Sequence, residues 1–280
     1  MIKHVSDTSA WVAYYRALET ERSDSIFKDN FARLLLGYRS TEFARVQSNV
    51  NKWTNWTVVM RTFIIDNMIR DLISQGHTTF VNLGAGLDSR PYRMQLDSKI
   101  KWIEVDFPHL IEEKNKVLSI FNPSCDLERV ALDLSKHDER IALLESLSER
   151  FETIVVLTEG VLPYLSEEEV SELSDDMMRF PSFKFWICEY FSPKSYHVLK
   201  NPKQMKVLKH TPFKFFPEVW MDFFKSRGWK LVEIKYYVDT SEQLGRATPL
   251  PAIFKLISFF MGKKWALPFR RMSGYIMWKR

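Results

Sequence analysis

The chain has almost no cysteine, no long apolar run and no concentration of charge, and each shortage removes a class of protein. Cys125 and Cys188 are its only cysteines in 280 residues. Neither has a CxxC neighbour, so a disulfide framework is excluded and a reducing compartment is expected. No stretch of 18 apolar residues exists, so no segment has the length of a transmembrane helix and stable membrane insertion is not expected. The opening MIKHVSDTSAW carries no apolar run of the kind a secretory leader uses. A cytoplasmic location follows as the expectation. The 40 Lys and Arg are scattered among 35 Asp and Glu, for a formal charge of +5. That is a mild excess without a basic stripe, and no nucleic-acid partner is expected. No group of His, Cys and Asp has metal-ligand spacing, which points to metal-independent chemistry. No internal repeat, low-complexity tract or Gly/Ser linker divides the chain. A single domain over 1–280 is therefore expected.

Apolar residues make up 45% of the chain and aromatics 14%, with 21 Phe and 9 Trp. Such an aromatic load fits a densely packed core or an apolar ligand pocket. Residues 1–75 read as a helical cover, since Trp11, Ala13, Tyr14, Ala17 and Leu18, then Val58, Phe63, Ile65, Ile69 and Leu72, recur at helical spacing. Asp29 before Phe31-Ala32 has the position of a helix N-cap. From Thr78 the pattern changes to short β-rich runs: Thr79–Leu83, Trp102–Val105, Arg129–Leu132, Thr153–Leu157 and Phe183–Cys188. Helical stretches Phe107–Ile120, Lys136–Arg150 and Ser166–Met178 lie between them. This alternation predicts right-handed βαβ units around a parallel sheet, an α/β doubly wound, Rossmann-like fold. A helix near Pro217–Arg227 precedes two terminal strands, Trp229–Val238 and Gly274–Trp278. The connection near 240–270 reads as a substrate-side insertion. Its apolar part, Leu250–Gly262 with Lys263-Lys264-Trp265 behind it, suits a lid helix or a helix lying on a membrane surface.

Doubly wound sheets bind ligands beyond the carboxyl ends of their strands. The first strand ends in Leu83-Gly84-Ala85-Gly86-Leu87, where two glycines allow a sharp turn and close approach to a ligand. The second ends in Val105-Asp106, 20 positions after Gly86, where a carboxylate can accept from both ribose hydroxyls. Asp106 could instead cap the helix beginning near Pro108. Together the turn and the acid suggest an adenosine-containing cofactor. A dinucleotide would favour a third glycine at position 89, which is Ser89 here. S-adenosylmethionine has no phosphate to cradle, and Asp133-Leu134 after the third strand is placed for its adenine.

The residues Asn82-Leu83-Gly84-Ala85-Gly86-Leu87-Asp88-Ser89-Arg90, Glu104-Val105-Asp106-Phe107-Pro108 and Glu159-Gly160-Val161-Leu162-Pro163-Tyr164-Leu165 resemble the leucine carboxyl methyltransferase family. Arg16-Ala17-Leu18-Glu19-Thr20-Glu21-Arg22 and Arg61-Thr62-Phe63-Ile64-Ile65-Asp66 are similar to its bacterial branch of small-molecule, polyketide-type O-methyltransferases. The resemblance runs from Arg16 to Leu165 and implies a class I methyltransferase sheet of strand order 3-2-1-4-5-7-6. It also implies S-adenosylmethionine as cofactor. By matching position, Arg61 would meet the cofactor carboxylate and Gly84 would line its methionine part. Asp106 would hold the ribose, Asp133 and Leu134 the adenine, and Glu159 the amino group. Ala85, Gly86 and Phe107 would complete the cofactor-binding set. Without the resemblance, the alternatives are a helix-surface ion pair for Arg61 and a helix-capping acid for Glu159.

The expected reaction is O-methylation of a small, hydrophobic acceptor at a carboxylate or hydroxyl, by in-line displacement. Positioning and exclusion of water would then carry much of the acceleration. Tyr164 follows Glu159 closely enough to face the acceptor and is the candidate catalytic residue, with a packing role as the alternative. His109, His197 and His210 lack partners at meaningful spacing, and no general base is identified. Tyr14, Tyr15, Phe191, Tyr196, Phe213, Phe215 and Phe216 could form an aromatic wall. Three other readings stay open: a protein C-terminal carboxyl methyltransferase, an NAD-dependent oxidoreductase, and a non-catalytic binding module. The sequence does not indicate an oligomeric state.

Overall fold

The computed structural model describes residues 6–37, 52–200, 211–249 and 267–280. Seven strands form one sheet: β1 (Thr79–Leu83), β2 (Lys101–Asp106), β3 (Asp126–Ala131), β4 (Ile154–Thr158), β5 (Phe183–Phe191), β6 (Lys230–Tyr236) and β7 (Ser273–Lys279). Their order is β3-β2-β1-β4-β5-β7-β6, as the resemblance implied. The first five pair in parallel, while β7 enters antiparallel between β5 and β6. The central strands TFVNL and IVVLT are buried at every position, as strands covered on both faces must be. The edge strands β3 and β6 carry Asp, Glu, Lys and Arg and stay half open to water, which discourages pairing with another chain.

Helices cover both faces. On one side the long helix that we number α3 (Lys52–Ser74) sets Ile64, Ile65, Met68, Ile69 and Leu72 against Phe80, Trp102, Ile187, Tyr275 and Met277. On the other, α6 (His137–Arg150) and α7 (Glu167–Arg179) pack Leu144, Leu147, Val170, Leu173 and Met177 on Val81, Ile103 and Val156. Trp186, Trp229 and Trp278 extend that second layer, and the buried indole N–H groups of Trp186 and Trp229 donate to Thr158 and Ser174 at 3.0 and 2.9 Å. Much of the aromatic content is therefore core. The first two helices, α1 (Ser6–Thr20) and α2 (Asn30–Leu36), join Leu87 and Leu118 in a third cluster over the carboxyl end of the sheet. Asp29 caps α2 as expected, accepting from Ala32 N at 3.0 Å.

Two expectations change. The run Trp229–Val238 is not strand throughout, because β6 ends at Tyr236 and the chain turns into helix α10 (Tyr237–Gln243). The turn buries Tyr237 against Trp56 and Tyr275, which a continued edge strand could not do. The insertion near 240–270 therefore starts with a helix. Its Leu250–Gly262 part and Lys263-Lys264-Trp265 lie outside the described residues, as does His210. Among the described residues no helix is long and apolar enough to cross a membrane.

Candidate active site

The carboxyl ends of β1, β2 and β4 meet at the point where strand order reverses. After β1 the backbone enters the left-handed region at Gly84 (φ +73°) and Gly86 (φ +49°). A side chain at Gly84 would also collide with Val161 Cγ2. The turn is thus pressed against the loop that follows β4. Its amides are held by β2: Gly84 N donates to Val105 O at 2.8 Å, and Gly86 N donates to Asp106 Oδ2 at 2.6 Å. The other Asp106 oxygen accepts from Phe107 N at 2.7 Å. Asp106 is buried, and that burial raises its carboxyl above the ordinary range despite the two amides. It does not cap the following helix, α5 (Pro108–Leu118), whose N-cap is Phe107.

Opposite this turn, Arg61 reaches down from α3 to Glu159, which follows β4. The Arg61 Nε to Glu159 Oε1 separation is 2.9 Å, and Arg90 Nη1 holds the other Glu159 oxygen at 2.7 Å. Burial alone would raise the Glu159 carboxyl, but Arg90 and then Arg61 outweigh it and keep it below its ordinary value. The Arg61 guanidinium loses by burial and gains more from Glu159, Tyr275, Tyr237 and Glu189, so it stays charged. Neither the surface pair envisaged for Arg61 nor the helix cap envisaged for Glu159 is what the fold builds.

Behind this pair lies an ionic network that the sequence did not assign to any role. Arg90 is fully buried and also bonds Asp66 and Asp88 at 2.8 and 2.9 Å. Asp66 in turn binds Arg93 at 2.6 Å, Asp88 accepts from Asn82 at 2.8 Å, and Asp29 pairs with Arg16 at 2.9 Å. The signal was the density of charge directly after the glycine turn, Asp88-Ser89-Arg90-Pro91-Tyr92-Arg93. A further unassigned acid, Glu189, interrupts the otherwise apolar end of β5. Its Oε1 accepts from Gly160 N and, at 3.2 Å, from Val161 N.

The remaining expected residues separate. Asp133 sits half-buried after β3 with Oδ1 accepting from Ser135 N and Oγ, and the Leu134 carbonyl is taken by Arg140 at 2.7 Å. Tyr164 ends a short 3-10 turn (Leu162–Tyr164) with its ring 5.1 Å from Phe213. Burial raises its phenol, against a bond with Thr8 that lowers it. His109 stacks on Phe107 and His197 is exposed. The envisaged aromatic wall is divided: Tyr14 and Tyr15 pack into the N-terminal cluster, whereas Phe191, Tyr196 and Phe215 pack onto the cluster around Trp220. Residues that look alike in sequence were drawn to two cores by their separate elements. Among the described residues no three His, Cys, Asp or Glu form a metal-site group.

A curated Mycobacteroides abscessus protein named “Putative S-adenosyl-L-methionine-dependent methyltransferase” is 28% identical over 186 residues, which cover 62% of this chain and 61% of that protein. A Streptomyces coelicolor protein of like name is 32% identical over 178 residues, covering 59% and 62% respectively. The match thus spans about three-fifths of these relatives' own length. A crystal structure of a DUF574-family protein from Streptomyces avermitilis covers 99% of this chain and 100% of that one at 10% identity, with a TM-score of 0.58, a likeness of fold. The family model for leucine carboxyl methyltransferase matches residues 9–178, the stretch that contains Arg61, the glycine turn, Asp106 and Glu159, and this chain belongs to that family.

Proposed function

We propose that the protein is an S-adenosylmethionine-dependent methyltransferase that methylates an oxygen of a small acceptor. The observation that carries this reading is the Arg61–Glu159 pair facing the Gly84–Gly86 turn. Arg61 Nε and Glu159 Oε1 are buried and form an ion pair 2.9 Å apart. An amino-acid zwitterion is the complement of such a pair, its carboxylate on the guanidinium and its ammonium on the carboxylate. Asp106, whose oxygens each accept one amide, keeps a lone pair on each for ribose hydroxyls. Asp133 and Leu134 would flank the adenine, with Ala85, Gly86 and Phe107 lining the path between. The cofactor supplies an already activated sulfonium methyl group. What the chain contributes is orientation, exclusion of water by α1 above the turn, and the acceptor pocket beside Tyr164. The names of the relatives and the family agree with this reading.

Thermal unfolding with S-adenosylmethionine, S-adenosylhomocysteine and NAD tests it. Stabilisation by the two adenosyl-sulfur ligands and not by NAD is expected, weakened in Asp106→Ala. At 100 times the dissociation constant the gain is about 2.7 kcal/mol. Stabilisation by NAD alone would transfer the protein to the oxidoreductases. The family description favours a second acceptor, a protein carboxyl terminus. Labelled methyl appearing on a protein band, and not on small molecules, would select it.

A further inference from the structure

The half of the sheet assigned to the cofactor is β1, β2 and β3, whose ends carry Gly84, Asp106 and Asp133. The methyl group then lies at the border, near Glu159 after β4, and an acceptor must stand over the next strands, β5 and β7. Two polar side chains are buried there. Glu189 on β5 is 2% exposed and Tyr275 on β7 is fully buried, and they face each other in the antiparallel register. Glu189 Oε1 is committed to the Gly160 and Val161 amides. Its Oε2 and the Tyr275 hydroxyl have no hydrogen-bond partner among the described residues. A buried carboxylate oxygen and a buried phenol left open side by side cost stability unless something polar meets them. The ion pairs already described do not use either atom.

We propose, resting on the methyltransferase reading, that Glu189 is the general base of the reaction and that the acceptor is accordingly a hydroxyl, phenolic or alcoholic, and not a carboxylate. Glu189 Oε2 takes the proton that the acceptor oxygen loses on methylation. The electron pair of the broken O–H bond stays on oxygen, the new C–O bond draws on an oxygen lone pair, and the pair of the broken C–S bond stays on sulfur. No oxidant or reductant enters. Tyr275 donates to the acceptor oxygen and orients it. A carboxylate acceptor has no proton to give and would be repelled by the Glu189 anion. The groups facing Glu189 are Arg61 from α3, Glu159 beyond β4, Tyr275 on β7 and Tyr237 on α10. Burial pushes the Glu189 carboxyl up to about 7, with Glu159 adding to the rise and Arg61 and the amides opposing it. That value suits a base working near neutral pH.

Glu189→Gln keeps an oxygen for the Gly160 and Val161 amides and removes only the base. With labelled S-adenosylmethionine and a panel of phenols, primary alcohols and carboxylic acids, wild type should give alkali-stable ether label. Transfer should fall about 100-fold or more in Glu189→Gln and partly return in Glu189→Asp. The wild-type rate should climb with pH and level off above about 7, and the climb should vanish in the Gln variant. Calorimetric binding of S-adenosylhomocysteine should be unchanged in the variant. Failure of wild type to bind S-adenosylhomocysteine would bring down the cofactor reading itself. Binding with alkali-labile ester label, with no label on any phenol or alcohol, or with an unaltered rate in Glu189→Gln, would overturn the base alone. Should Glu189→Gln not fold, Tyr275→Phe, which removes one hydroxyl, must lower the ether-forming rate at least tenfold, and an unchanged rate would overturn the assignment.

Discussion

Two buried ionic clusters stand at the carboxyl side of this sheet, and they are finished differently. The first is Glu104 with Lys114 and Arg129 on β2, α5 and β3. Glu104 Oε1 accepts from Lys114 at 2.7 Å and Oε2 from Arg129 at 2.8 Å, and Arg129 is further bonded by Asn115 and Tyr92. None of its side-chain atoms is left buried without a hydrogen bond among the described residues. The second is the network from Arg16 through Asp66, Arg90 and Glu159 to Arg61. There Arg90 Nη2 and Asn82 Oδ1 are buried without one, and Arg61 Nε meets Glu159 Oε1 as an ion pair 2.9 Å apart. A buried ion pair adds little to stability when closed and is costly when broken, so closure by itself is a scaffold property. Atoms left open in a network of the same charge density mark where a ligand completes the structure.

Breaking each cluster at its centre should separate the two roles. Arg90→Met strands Asp66, Asp88 and Glu159 together, and a loss of about 3–5 kcal/mol is expected in denaturant unfolding, together with loss of S-adenosylhomocysteine binding. Lys114→Met strands one oxygen of Glu104. It should cost about 3 kcal/mol while the folded fraction binds S-adenosylhomocysteine as wild type does.

The acceptor side sharpens the contrast through pH. The folded Glu189 carboxyl stands above its ordinary 4.5, at about 7. Its contribution to stability is therefore whole below pH about 4.5 and is lost as pH rises through about 7, to the extent of about 3 kcal/mol. The unfolding free energy of wild type minus that of Glu189→Gln should decline across this window, and a flat difference would remove the perturbed carboxyl. Asp66, which burial disfavours but Arg93 and Arg90 hold below the usual range, acts in the opposite sense, its contribution lost only in acid.

Next in size is Asp106→Asn, which should weaken S-adenosylhomocysteine by about 2 kcal/mol, read by calorimetry, because a charged acceptor becomes neutral. The smallest effect is expected far from both clusters. Ser166 and Glu169 form a reciprocal capping box at the start of α7, and Ser166→Ala should cost about 1 kcal/mol with cofactor binding untouched.

Much of this was legible in the chain itself. The alternation of apolar β runs with helical stretches gave the elements, and the motif from Asn82 to Arg90 pointed to the strand order. Asp29 announced its helix by local chemistry alone. What remained hidden depends on contacts distant in sequence. Arg90 and Asp66 are 24 positions apart and Arg90 and Glu159 are 69 apart, so no local pattern could pair them. Glu189 lay just past the expected strand Phe183–Cys188, with nothing to mark it until β5 was set beside β7 and the Gly160 turn. Tyr237 left its strand because a core position against α3 was available to it, a tertiary preference overriding a local one. The aromatic residues expected to form one wall divide between two clusters for the same reason, since spacing says which residues can share a face but not which core will take them.

The most direct test is a calorimetric titration of S-adenosylhomocysteine into wild type, Arg61→Ala and Lys114→Met under one set of conditions. The open-cluster account predicts tight binding to wild type and Lys114→Met, and binding at least 30-fold weaker in Arg61→Ala, on the order of 2 kcal/mol. Equal loss in both variants, or equal binding in all three, would contradict it.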